Sequence, residues 1–174
     1  VVCVMVGVEE LGAKREESEV RPPIRWADMA KFSRPFWTVV VIGVVFTLAR
    51  FSEAFLVLKA NAEGLPLALA PLVLVVMNIV YALGAYPAGA LSDRMPAGGL
   101  LLGGLAALMV ADLLLALLPG LVGAFLGIAF WGAHMALTQG LLAKLVADPA
   151  PEHLRGSAFG VFNLATGVSL LFAS

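Results

Sequence analysis

Charged and hydrogen-bonding side chains are sparse in this sequence, and each one that interrupts an apolar run suggests a chemistry. Arg50 and Glu53 stand three residues apart, so on a continuous helix they share one face and can interact. Such a pair either neutralises itself or lines a cavity, where it contacts substrate or couples protons. Asp112 has no partner nearby in sequence. It can carry a coupling proton, because burial raises a carboxyl pKa towards neutrality, or it can bond, protonated, to the backbone of the next helix. His134 shares a face with Thr138 at i+4, and Trp131 and Gln139 lie close by. A lone histidine is either a hydrogen-bonded core residue or a proton-linked switch, and this stripe is a candidate substrate contact. Asn78 and Tyr81 form a similar i, i+3 patch, which helix–helix hydrogen bonding also explains.

A second kind of site is the charged hairpin Gly89-Ala-Leu-Ser-Asp93-Arg94, followed by Pro96 and Gly98. A carboxylate at the end of a helix can accept hydrogen bonds from the open N–H groups of a neighbouring helix N-terminus. Enzyme signals are absent from the sequence. Both histidines are isolated, no acidic pair has metal-ligand spacing, and no G-x-S-x-G, H-E-x-x-H or phosphate-cradling glycine loop occurs. The single Cys3 excludes an intramolecular disulfide and any multi-cysteine metal site. The expectation is therefore no catalytic residue, no metal and no cofactor.

The elements that must hold these groups are set by composition. Of the 174 residues 61% are hydrophobic and 13% charged, with a mean hydropathy of +0.98. Nearly half of the charges, from Glu9 to Lys31, fall before residue 32. Apolar runs of about 20 residues then follow one another, each long enough to cross a bilayer as a helix. The fold expected is an all-α, polytopic transmembrane helical bundle, truncated at both ends. Residues 1–8 read as the end of one span, and 9–36 as a polar linker with an amphipathic segment suited to the membrane surface. Spans are expected over about 37–58, 66–92, 98–118, 121–144 and 156–174, the second bending or breaking at Pro71 or Pro87.

Lys and Arg give the orientation. The linker carries six of them, and Arg94, Lys144 and Arg155 fall on the same side, against Lys59 alone on the other. By the positive-inside tendency, residues 9–36, 93–97 and 146–155 are cytoplasmic. Small residues recur as Gly99-xxx-Gly103, Gly123-xxx-Gly127 and Gly156-xxx-Gly160, a spacing that lets helix backbones approach in lipid. The net charge of −1 gives no reason to expect a nucleic-acid partner.

With that topology in place, the chain resembles the major facilitator superfamily. Gly89, Asp93 and Arg94 match the family's short cytoplasmic loop motif, although Pro96-Ala97-Gly98 stands where the family has glycine and basic residues. Leu48-Ala-Arg50-Phe-Ser-Glu53-Ala-Phe55 is similar to the seventh helix of many bacterial members. Pro151-Glu152-His-Leu-Arg155-Gly156-Ser-Ala-Phe159-Gly160 is similar to their entry into the eleventh. The resemblance implies that residues 1–8 end helix six, that residues 37–174 are helices seven to eleven, and that the N-terminal half is missing. It implies a secondary transporter of a small solute, for efflux or uptake, with alternating access and protons as coupling ion; the high Ala, Leu, Gly and Val content fits a bacterial inner membrane. It also implies that, in the outward-open state, Asp93 meets the N-terminus of the helix near Gly156, with Arg94 or Arg155 as cation, in a gate; the alternative is a simple polar turn that fixes topology. A channel or multispan scaffold is the rival reading. A membrane-embedded enzyme using His134 and Asp112 ranks behind it.

Overall fold

In the computed structural model, residues 29 and 31–173 are described, and the chain divides into Val1–Lys31 and Phe32–Ser174. The expected partial span over residues 1–8 and most of the linker lie outside the described residues. The second unit is helical throughout, and no strand occurs among the described residues. Its elements are α1 (Arg34–Ala49), α2 (Ala54–Ala62), α3 (Ala70–Ser92), α4 (Ala97–Leu117), α5 (Gly120–Ala147) and α6 (Arg155–Ala173). Short 3₁₀ turns, Leu67–Leu69 and Glu152–Leu154, lead into α3 and α6.

Local sequence sets the helix ends. Proline lies in the first turn of α1 and of α3, where a missing N–H costs nothing. At the end of α2 the Gly64 N–H bonds the Asn61 carbonyl at 3.0 Å and the Leu65 N–H bonds the Ala60 carbonyl at 2.9 Å. That is a Schellman ending, and it requires the positive φ of 102° that Gly64 supplies. Gly120, with φ 83°, reverses the chain between α4 and α5. Pro87 does not interrupt α3, which is one helix from Ala70 to Ser92. In a transmembrane helix the freed carbonyl can be satisfied by neighbouring groups or by water, so an internal proline is tolerated.

Among the described residues, five helical stretches are long and apolar enough to span a membrane: Arg34–Ala62, Leu67–Ser92, Ala97–Leu117, Gly120–Ala147 and Glu152–Ala173. Their outer faces carry large apolar side chains in the open, among them Leu83 at 74%, Leu117 at 75% and Phe172 at 84% exposure. A water-soluble monomer rarely exposes apolar surface so extensively, whereas a bilayer covers it. The chain is an integral, multi-pass membrane protein.

α5 is the axis, packed most extensively on α4 and α3, while α1 pairs chiefly with α6. Two apolar clusters result. One joins Leu56 and Ala60 of α2, Met77 of α3, Leu108 and Leu115 of α4, and Ile128 and Trp131 of α5. The other joins Phe36, Val39 and Val40 of α1 to Val146, Leu154 and Ala158. Of the three small-residue pairs, Gly123 and Gly127 sit at a close contact: a side chain on Gly127 would run into Leu115 and Ala111 of α4. Gly103 and Gly156 face open space, and Gly99 has only Met95 nearby. Gly104, outside that pattern, lies against Thr138 and His134, and Gly132 lies against the backbone of α3 at Met77.

The first complete span is not the continuous helix expected over 37–58. It breaks at Arg50–Glu53, with Arg50 extended (φ −106°, ψ 126°) before α2 starts at Ala54. Ser52 Oγ accepts from the Ala54 N–H at 3.4 Å, starting the new helix. Phe51 packs on Trp131 with ring centroids 4.5 Å apart. The break is where the chain passes from the α1–α6 cluster to the α2–α5 cluster.

Candidate functional site: a polar cavity beside a broken helix

A cavity of about 320 Å³ opens between α1, α5 and α6, at the level of the break. Its walls include Phe46, Thr47 and Arg50 from the first span, and His134, Thr138 and Gln139 from α5. Phe159, Phe162, Asn163 and Thr166 come from α6. Arg50, His134 and Asn163 each sit near the middle of their spans. Non-helical backbone at membrane depth is tolerated only where it is buried in protein or lines a water-filled cavity, and Arg50 meets that condition.

His134 is 2% exposed, and its Nδ1 lies 2.8 Å from the Gly104 carbonyl oxygen on α4. A carbonyl only accepts, so Nδ1 carries the proton and Nε2 is left for other partners. Gly104 permits this contact, since any side chain there would collide with Thr138. The ring lies parallel to Phe46, centroids 6.1 Å apart, and edge-on to Trp131. The Thr138 hydroxyl donates to the His134 carbonyl at 2.8 Å, Thr47 to Gly43, and Thr166 to Phe162. Gln139 and the Asn163 side-chain amide have no partner among the described residues.

Arg50 is the one charged residue among the cavity's lining, and its charge is near enough to act on His134. The break removes the shared helical face expected for Arg50 and Glu53. No ion pair joins them, and Glu53 lies outside the cavity lining. Asn78 and Tyr81 do not join the site either. The Asn78 amide donates to the Leu74 carbonyl of its own helix at 2.8 Å and is exposed. Tyr81 instead lines a small crevice with Gly89 and Ser92, between α3 and α5.

Asp112 does not make the bond to a neighbouring helix that was one of its two expected roles. Among the described residues its Oδ1 is buried without a hydrogen-bond partner, as is Trp131 Nε1. Asp112 lines a separate groove with Phe51, Phe55 and Lys59. His134 and Asp112, which an embedded enzyme would need together, therefore face different spaces.

The hairpin also differs from expectation. Asp93 Oδ1 accepts from the Lys144 ammonium of α5 at 2.8 Å, rather than from the start of α6. Arg94 and Arg155 form no ion pair among the described residues. Lys144 stands on the helix that α3 packs against, so it reaches the carboxylate first. At the opposite end, Glu63 accepts from Lys59 at 2.6 Å and from the Gly120 N–H at 2.6 Å. A carboxylate thus caps the positive end of α5. Thr47, Asn163 and Thr166 complete the cavity but were not expected from the sequence. The polar Asn163 and Thr166, three residues apart on the last span, were the available signal.

Membrane-spanning helices around a half-open cavity that carries a few polar groups define a polytopic membrane protein. The chain belongs to the Major Facilitator Superfamily, whose family profile matches residues 1–174. It is similar to an uncharacterized MFS-type transporter of Methanocaldococcus jannaschii, 28% identical over 141 residues. That match covers 78% of this chain and 35% of the relative, so the chain spans about a third of that protein's length. No solved structure matched the chain.

Proposed function

We propose that this chain is part of a secondary transporter for a small solute, and that the cavity between α1, α5 and α6 is its share of the substrate path. The observation that carries the reading is the broken helix placing Arg50 at mid-span on a cavity with His134, Gln139 and Asn163. Discontinuous helices and midplane polar groups are how secondary transporters build their sites, with access alternating between the two faces. Membership of the family and the MFS-type relative support transport over catalysis.

In the same reading protons are the coupling ion, with Asp112 and His134 as carriers. The N-terminal half of the protein supplies the opposing wall, and the spans correspond to helices seven to eleven. The linker and the loops at Asp93–Arg94 and Asp148–Arg155 face the cytoplasm of a bacterial inner membrane. Asp93 and Lys144 are the latch that opens as access switches. The test is side-specific labelling of the full-length protein. Thr47→Cys and Thr166→Cys, each in a cysteine-free background, should react with an impermeant thiol reagent in both right-side-out and inverted vesicles. Reaction from one face only would sink alternating access.

A further inference from the structure

The cavity has an electrostatic character as well as a position, and this inference rests on reading it as the substrate path. Its lining holds one full charge, the Arg50 guanidinium, and no carboxylate. Arg50 has no ion-pair partner among the described residues, Glu53 included. An arginine at membrane depth is retained where a partner neutralises it or where it meets a ligand. Two amides without partners among the described residues, Gln139 and Asn163, line the same cavity, and His134 keeps one ring nitrogen for other partners. The rest of the wall is aromatic and aliphatic: Phe46, Phe159, Phe162 and Leu142.

We infer that the solute of this cavity is a small amphipathic monocarboxylate, held by Arg50 through its carboxylate and by Phe46, Phe159 and Phe162 along its apolar body. The guanidinium fork matches a carboxylate bidentately. One cation balances one negative charge. A phosphate dianion would leave excess charge buried, and a cation would meet repulsion from Arg50. The amides can donate to the lone pairs that a bidentate Arg50 leaves open on the carboxylate oxygens.

The experiment uses the full-length transporter carrying Thr166→Cys as the sole cysteine, with benzoate, benzamide, benzylammonium and inorganic phosphate as probes. Thr166 bonds only within its own helix, so it reports on the cavity without holding the solute. Benzoate is expected to slow thiol labelling severalfold, and the other three to leave it unchanged. Arg50→Gln should raise the half-protecting benzoate concentration at least about tenfold, and Arg50→Lys by less. Labelling without benzoate protection overturns the inference while leaving the path intact. So does equal protection by benzamide, benzylammonium or phosphate, or protection that survives Arg50→Gln. Should Arg50→Gln fail to fold, the selectivity among the four probes decides. No labelling from either face removes the path and the inference together.

Discussion

Glu63 and Asp93 act at opposite ends of the bundle in the same way: each carboxylate ties two helices through a cation or an open N–H. Glu63 is held below its ordinary value of 4.5, first by the Lys59 hydrogen bond and then by the Gly120 N–H. The Asp93 carboxyl is held below 3.8 by the Lys144 hydrogen bond and charge. A carboxyl lowered in the folded state stabilises it above its unfolded value, and that contribution disappears as pH falls through the folded one. Glu63→Gln should therefore lower the thermal midpoint of the full-length protein at neutral pH. The gap to wild type should close as the pH drops below the ordinary glutamate value; a gap constant with pH would show that the charge is not what matters. Asp112 is the opposite case, a carboxylate whose buried oxygen has no partner among the described residues. Such a group costs stability, and the role proposed for it is to carry the coupling proton. Asp112→Asn is expected to keep or raise the thermal midpoint while removing solute accumulation driven by a pH gradient. Accumulation that persists would take the coupling role away from Asp112. Arg50, His134, Thr138 and Gln139 were legible in the sequence as polar groups in apolar runs. Thr47, Asn163 and Thr166 were not, because only the convergence of three helices gives them a common space.

Periodicity and length located the helices, since apolar runs bounded by proline, glycine and charge leave little choice of element. They could not reveal the break at Arg50–Glu53. The segment is apolar on both sides, and at the break Phe51 packs on Trp131, a long-range contact that local sequence does not display. Glycine spacing likewise pointed to three interfaces, of which only Gly123 and Gly127 meet a neighbour closely. The decisive close approaches, Gly104 on Thr138 and Gly132 on Met77, have no i, i+4 glycine partner. These neighbours in sequence give a clean contrast. Gly104→Ala drives a methyl group into Thr138 and disturbs the bond from His134, and should cost about 1–3 kcal/mol. Gly103→Ala points into open space and should be neutral or gain up to about 1 kcal/mol from helix propensity. Thermal unfolding of the full-length protein in detergent measures both. Equal effects at the two positions would mean that α4 and α5 are not in this register.

At the scale of the whole bundle, the two polar ties restate the topology independently of hydropathy. Glu63 meets Gly120, so the α2–α3 and α4–α5 connections lie at one end. Asp93 meets Lys144, so the α3–α4 hairpin and the end of α5 lie at the other. Cations divide unevenly between those ends: Arg94, Lys144 and Arg155 at the second, Lys59 alone at the first. Lys59 is moreover paired with Glu63, which leaves the first end without an unpaired Lys or Arg in these loops. Loop lysines and arginines near span ends are held on the cytoplasmic side during insertion. Ala62 and Met95 are both exposed and stand at opposite ends, so a cysteine at either one reports sidedness. In intact cells Ala62→Cys should react with an impermeant thiol reagent, and Met95→Cys only after permeabilisation. The reverse pattern would place Glu63 rather than Asp93 in the cytoplasm. The cavity, lying midway, would be unaffected.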